Sequence, residues 1–451
     1  MSNVSSTPIA AGARLLRVLS HLDLIVYGLV YVSPIGPWPT WGFARDLSGG
    51  AVALAYLLGA GALMFTAFSY AKMANAIPEG GSVYSYARSS MGEAAGFVAA
   101  WMVLLDYLLL PALIYVFCSI QFHELVPAIP AWGWTIAICG YNVGVNWFGV
   151  KTSAHFNLGT LFAQFALLFC VLATALFFMY KTGTPAFTVH PWWGPGVTAT
   201  KVFAGASLGM MAYLGFDAIT TLSSEVKPEQ VHLIGRSVIL SLAVLGTLAV
   251  LNVWILGDLS LGMSFDDPTT ATHDVLASRI GPTFSGAVVI LGLIITAISI
   301  TPPMVTGVSR VLYTMATHGE MPRLLAVLHP KYGVPRAAIA VSGLISLIVA
   351  LYFSAQFDTL TAMVNCGALV AFIAVNCSVV AYFVLKRGSR RWWSHLISPA
   401  IGVVVLTAVL ANMRSLALLV GSVWMMAGIA VYAVLYGRSK NKSAPDLTHT
   451  P

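Results

Sequence analysis

The sequence predicts an all-α polytopic membrane protein with twelve transmembrane helices. They are arranged as a 5+5 inverted repeat with broken helices 1 and 6, followed by two accessory helices. Three observations carry this expectation. Hydrophobic residues fill 58% of the 451 positions and charged residues only 9%, against roughly 25% charged in a soluble domain. Apolar runs of about 20 residues, each enough to cross the hydrocarbon layer, recur along the whole chain, and the mean hydropathy is +0.84. Two of these runs carry Pro or Gly where a continuous helix would pass, in matching places of the two halves.

In order, the expected spans are Asp23–Phe43, Ala51–Lys72, Ala94–Phe122, Trp132–Phe148, Asn157–Tyr180, Ala199–Ser223, Leu233–Leu256, Phe284–Tyr313, Ala337–Phe353, Leu360–Leu385, Ile397–Asn412 and Leu416–Tyr436. An even number puts both tails on one side. Of the 23 Lys and Arg residues, five fall on the opposite side: Arg45, Lys181, Lys201, Arg279 and Arg414. Cytoplasmic loops collect Lys and Arg, so both termini are expected in the cytoplasm. The formal charge of +7 is this excess, drawn to anionic head groups. No clustered basic face with interleaved aromatics points to nucleic acid. Met1–Ser20 lacks the short apolar core and cleavage site of a signal peptide. The five cysteines all fall inside spans, where they read as small buried apolar residues and imply neither a disulfide framework nor a metal site.

Five spans per unit is odd, so the second unit enters the membrane from the opposite side. The expected division is a tail over 1–22, a first repeat over 23–182, a second over 199–386, accessory spans over 396–436 and a tail over 437–451. Each repeat opens with a broken segment, LVYVSPIGPWPTWGF (Leu29–Phe43) and GASLGMMAYLGFDAITTLSSE (Gly205–Glu225). Non-helical backbone survives at membrane depth only where it lines a cavity. Two such breaks at the start of inverted repeats point to the midplane binding site of a secondary transporter. Small-xxx-small spacing at Gly140/Gly144 and Gly205/Gly209 reads as close helix packing.

The residues at the breaks constrain the cargo. A carboxylate would sit on free backbone N–H groups at a half-helix N-terminus. Pro34, Pro37 and Pro39 remove three such donors and leave those of Ile35, Gly36 and Trp38. That argues for a substrate whose carboxylate is absent or secondary, unless the prolines only kink the span. Two acids lie inside the expected spans, Asp106 and Asp217. A carboxylate at mid-bilayer costs about 2.5–3.5 kcal/mol and usually marks a pathway, a partner or a proton site. Asp217 follows Gly215, where it would cap a half-helix. Asp106 sits mid-span, where no helix end needs a cap; it is read as a substrate or proton contact, or as hydrogen-bonded to a neighbouring helix. Tyr27, Tyr31, Trp38 and Trp41 crowd the first break, and aromatic faces attract ammonium groups. Trp38 is assigned to the site and Trp41 to the interfacial belt. Ser299 and Thr301, beside Pro302-Pro303, would hold a coupling ion or satisfy a kink.

At the second break the sequence becomes recognisable. AYLGFDAITTLSSE (Ala212–Glu225) resembles the sixth-span signature of the amino acid–polyamine–organocation superfamily. SRVLYTMATHGEMP (Ser309–Pro322), followed by HPKYGVPRAAI, resembles its loop after span eight, and EGGSVYSYAR (Glu79–Arg88) its loop between spans two and three. LLDYLLLP (Leu104–Pro111) and GFDAITTLSSE are most similar to the bacterial putrescine importers. The resemblance covers spans one to ten. It implies a bacterial inner-membrane permease with Tyr107, Tyr213 and Phe216 facing the site. Amino-acid members usually carry a glycine-serine-glycine break in span one, whereas this chain has Ser33-Pro34-Ile35-Gly36-Pro37, a departure shared with the putrescine importers. The family's paired Glu after span six is here Ser224-Glu225. Some proton-coupled relatives place a Lys in span five; this span has none.

The reading is therefore a permease importing a small organic cation such as putrescine by alternating access. An amino acid permease or an amino acid/amine antiporter is the alternative. The expected substrate-binding residues are Ser33, Ile35, Gly36, Trp38, Asp106, Tyr107, Tyr213, Gly215, Phe216 and Asp217. Glu225, Ser299 and Thr301 are coupling-ion candidates, with H+ or Na+ as the driving ion. Expected partners are an amine or amino acid, the bilayer and, through the accessory helices, a second copy; no cofactor, metal or nucleic acid is expected. Enzymatic constellations are missing: there is no GxxxxGK[ST], HExxH or GxSxG pattern, and Gly59-Ala60-Gly61 reads as helix packing.

Overall fold

The computed structural model describes residues 15–442, apart from positions 355 and 414. Among the described residues every regular element is helical, and the one β-type contact is a parallel bridge between Leu19 and Val226. The α-helices are α1 (His21–Val32), α2 (Trp41–Leu47), α3 (Val52–Ala76), α4 (Val83–Met91), α5 (Glu93–Leu125), α6 (Ala131–Trp147), α7 (Val150–Thr182) and α8 (Ala199–Met211). They continue as α9 (Ile234–Leu259), α10 (Ala271–Arg279), α11 (Pro282–Ser299), α12 (Thr301–Thr317), α13 (Arg336–Tyr352), α14 (Phe357–Val379), α15 (Ser398–Ala411) and α16 (Ser415–Lys442).

Every expected span coincides with helical structure. Among the described residues nine helices are long and apolar enough to cross a membrane, and α1 and α13 are shorter apolar helices. Two short helices, α4 and α10, were not expected; both are too short for a hydropathy window tuned to bilayer thickness. α9 runs further than expected, to Leu259, and carries a further buried acid, Asp258. Its carboxylate accepts from the Thr188 amide at 3.0 Å and the Thr188 hydroxyl at 2.5 Å, tying the loop after α7 to the end of α9.

Local chemistry explains the ends that matter. Ser20 and Asp23 form a capping box at the start of α1, each side chain accepting from the other's backbone N–H. α5 carries Pro111 in its interior. Proline cannot donate to the carbonyl four residues back, so the helix loses its bond to Tyr107, beside Asp106. α11 and α12 meet at Ile300, where Pro302-Pro303 occupy the first turn of α12 and need no N–H.

The core forms around the broken segments. α1 packs against α7, α9 and the segment after α8; α5 packs against α12, α13 and α14; and α3 runs along α8 and α9. Trp41 is buried, with its ring edge-on to Phe265. It therefore belongs to the interior rather than to an interfacial belt. α16 is fastened to α5 by a reciprocal pair: Trp101 and Trp424 stack at 4.8 Å, and each indole N–H donates to the other's carbonyl. Beyond this contact α16 presents Leu419, Val423 and Met426 outward, as suits a helix facing lipid.

Candidate functional site at the two helix breaks

Both interruptions are present. α1 stops at Val32, Ser33 adopts a left-handed φ of 69°, and helix resumes only at Trp41. The loop between them uses its own donors. Gly36 N–H bonds Ser33 O at 3.0 Å, and Trp38 N–H bonds Ile35 O at 3.1 Å. Of the three amides spared by the prolines, only that of Ile35 lacks a backbone partner among the described residues. α8 stops at Met211, and a 3-10 helix over Phe216–Glu225 completes the segment. Gly215 joins the two with φ at 107°, and an added Cβ there would overlap the Tyr31 ring. Glycine is required on both counts, backbone conformation and close approach.

The two acids lie between these loops and are held differently. Asp217 accepts from the Tyr107 hydroxyl at 2.6 Å and from the Tyr70 hydroxyl at 3.2 Å, both on Oδ2. Its carboxylate also lies near the backbone amides of Gly215 and Asp217 at the start of the 3-10 helix. Asp106 is buried, and neither of its carboxylate oxygens has a hydrogen-bond partner among the described residues. The Tyr31 hydroxyl and the Ser33 hydroxyl are also buried without partners, and the Tyr31 hydroxyl is within electrostatic reach of both carboxyls. Buried polar groups normally find partners within the fold. Tyr31, Asp106 and Oδ1 of Asp217 thus bring orphaned buried oxygens within electrostatic reach of one another, and the Ser33 hydroxyl adds a further one at the first break.

An inner chamber of about 80 Å³ lies against both breaks. Tyr31, Ile35 and Gly36 line it from the first break, Ala212 and Leu214 from the second, and Leu110, Leu113 and Phe117 from α5. Asp106 is one helical turn before Leu110 and shares that face of α5. Trp38 lines a second, larger chamber, and its indole N–H donates to Asn252 at 3.2 Å. Tyr213 bonds the Tyr56 carbonyl, and Phe216 packs with Tyr70 and Phe372. Neither lines the inner chamber.

The coupling-ion candidates have protein partners. Ser299 Oγ accepts from Gln164 Nε2 at 2.9 Å and donates to Ile295 O, and Thr301 Oγ1 donates to Ala297 O. Glu225 forms a buried ion pair with Arg310 of α12. Arg310 stands three residues before the end of its expected span, and four-residue spacing from Thr306 puts it on the buried face of α12. Met304 and Thr296 also line the inner chamber; nothing in their types distinguishes them from core residues. Among the described residues, no group of three or more His, Cys, Asp or Glu side chains could hold a metal ion.

The three motifs quoted above form one cluster at the end of the bundle where the chain begins. Arg88 bonds Glu320, Glu93 and Tyr84; the Gly80 amide donates to Ser224 Oγ at 2.9 Å, and Thr220 donates to Ser82. Burial is the main influence raising the Glu320 carboxyl above its ordinary value. The Ser224 hydroxyl, beside Glu225, is thus an acceptor for the loop before α4.

The sequence model of the amino acid permease family matches residues 21–440. The chain belongs to this family. It falls within the superfamily indicated by the sixth-span signature. A low-affinity putrescine importer of Escherichia coli is 28% identical over 96% of this chain and 97% of its own length. A branched-chain amino acid permease of Bacillus subtilis is 23% identical, with 94% of each chain covered. A vacuolar cationic amino acid transporter of Arabidopsis thaliana is 25% identical over 82% of this chain and 60% of its own. The permease thus has relatives named for an amine and for amino acids, and its break geometry bears on which cargo it takes.

Proposed function

We propose that this permease imports a small organic cation, a diamine of the putrescine type, by alternating access across a bacterial inner membrane. The observation that carries the reading is the Asp106 carboxylate, buried and unpartnered among the described residues, one turn from the chamber between the breaks. An uncompensated carboxylate at this depth is costly, and an ammonium group supplies its missing charge. The first break meanwhile spends two of its three remaining amides internally, which weakens any hold on a carboxylate. The similarity to a putrescine importer over nearly the full length supports the same choice.

The accompanying architecture is twelve spans, with 23–182 and 199–386 as inverted repeats, both termini cytoplasmic, and an H+ or Na+ gradient as the driving force. Ser33, Ile35, Gly36, Tyr31, Asp106 and Asp217 contact substrate, while Tyr107 positions Asp217. The second reading, a neutral or cationic amino acid permease, is favoured by the unused Ile35 amide and by the amino acid relatives. A competition panel in proteoliposomes decides between them. Uptake of labelled putrescine, inhibited by cadaverine but by no α-amino acid, is the expected result; inhibition by amino acids alone reverses the order.

A further inference from the structure

The inner chamber is not the only cavity on the path. A larger one of about 270 Å³ opens above it, toward the end of the bundle away from residue 15. The two are separated by a thin floor, since Ile35, Pro39, Phe117 and Thr296 line both. The outer chamber carries one acid, Glu124, with Gln121 and His273, and no Lys or Arg lines it. Glu124 is in no ion pair among the described residues. The described cations at that end are engaged elsewhere. Arg45 donates to Met263 O at 2.9 Å, Arg279 to Leu259 O and Leu261 O, and Lys201 to Gly196 O, while Lys181 lies over the Phe177 ring. Trp38 is fixed at the wall by its bond to Asn252 and by the Thr272 hydroxyl on its carbonyl.

We propose that the outer chamber is a second binding station for small organic ammonium ions, with Glu124 as its anion and Trp38 as its aromatic wall. A concave site of one charge sign raises the local concentration of its counter-ion, and an aromatic face adds cation–π attraction. The two stations act in series. Glu124 and Asp106 are eighteen positions apart on α5, about 27 Å along the helix, so one short diamine cannot bridge them. The inference rests on the amine reading above and adds to it a waiting site that the inner carboxylate does not supply.

The test uses the full chain in proteoliposomes with labelled putrescine. Glu124→Gln is expected to raise KM about fivefold with kcat retained, and Glu124→Asp to restore it. Purified Asp106→Asn protein should still bind putrescine weakly by calorimetry, and the Asp106→Asn/Glu124→Gln double variant should not. An unchanged KM in Glu124→Gln, or residual binding that survives its addition to Asp106→Asn, overturns the proposal. If the wild type transports amino acids but no amine, the substrate reading fails instead. Glu124→Gln must then raise KM for cationic amino acids and not for neutral ones, or this inference fails too.

Discussion

Arg310 grips Glu225 at two points, Nε to Oε1 at 2.6 Å and Nη2 to Oε2 at 3.3 Å, with both side chains buried. The pair joins the end of the second broken segment to α12. Removing one partner leaves the other charge uncompensated, a loss of about 3–5 kcal/mol, whereas replacing both by apolar groups is often neutral. Glu225→Ala should therefore lower the thermal unfolding temperature in detergent far more than Glu225→Leu/Arg310→Met does. Additive losses in the double variant would show that the two residues act independently.

Asp106→Asn separates function from stability. Because Asp106 has no partner among the described residues, neutralising it removes a buried charge without breaking a bond. Putrescine uptake should fall more than about tenfold, as expected on loss of a desolvated charge contact, while the unfolding temperature stays level or rises. A drop in both would mean that the carboxylate is structural.

Tyr107→Phe should behave in the opposite way. Its hydroxyl donates the shorter of the two bonds to Asp217, and a hydrogen bond to a charged group contributes about 1.5–3 kcal/mol. The unfolding temperature should fall, with uptake reduced in proportion to the folded fraction plus any misplacement of Asp217. Tyr70→Phe, at the longer distance, should cost less.

Gly215→Ala should abolish uptake and lower the yield of folded protein. The added methyl meets the Tyr31 ring, and the left-handed φ of 107° adds strain of about 1–3 kcal/mol for a residue with a Cβ. Gly61→Ala, where a Cβ meets open space, is the matched control and should leave uptake unchanged.

The membrane class, the helix positions and both interruptions were legible in the sequence because they follow from hydropathy over about 20 residues and from Pro and Gly chemistry. Asp106 and Asp217 stood out because charge at that depth is rare. What each acid touches was not legible: Tyr70 reaches Asp217 from 147 positions away, a relationship set by the packing of α3 on the second segment. The 3-10 form of Phe216–Glu225 was hidden for a similar reason, since its sequence suits a helix and tertiary contacts set its winding. Trp41 was misplaced because a tryptophan's type does not reveal whether a loop will fold over it. The Arg310–Glu225 pair was not legible either, since a cation near a span end looks like any flanking cation until the fold brings a carboxylate beside it.

Val18 and Leu19 both send their amides to the Glu225 carbonyl, and Lys227 returns a bond to Leu19 O. Three neighbouring bonds share one short strip of backbone, so losing any one loosens the others and half-release gains little. A rigid graft placed directly ahead of Val18 should accordingly strain all three bonds together, not one alone.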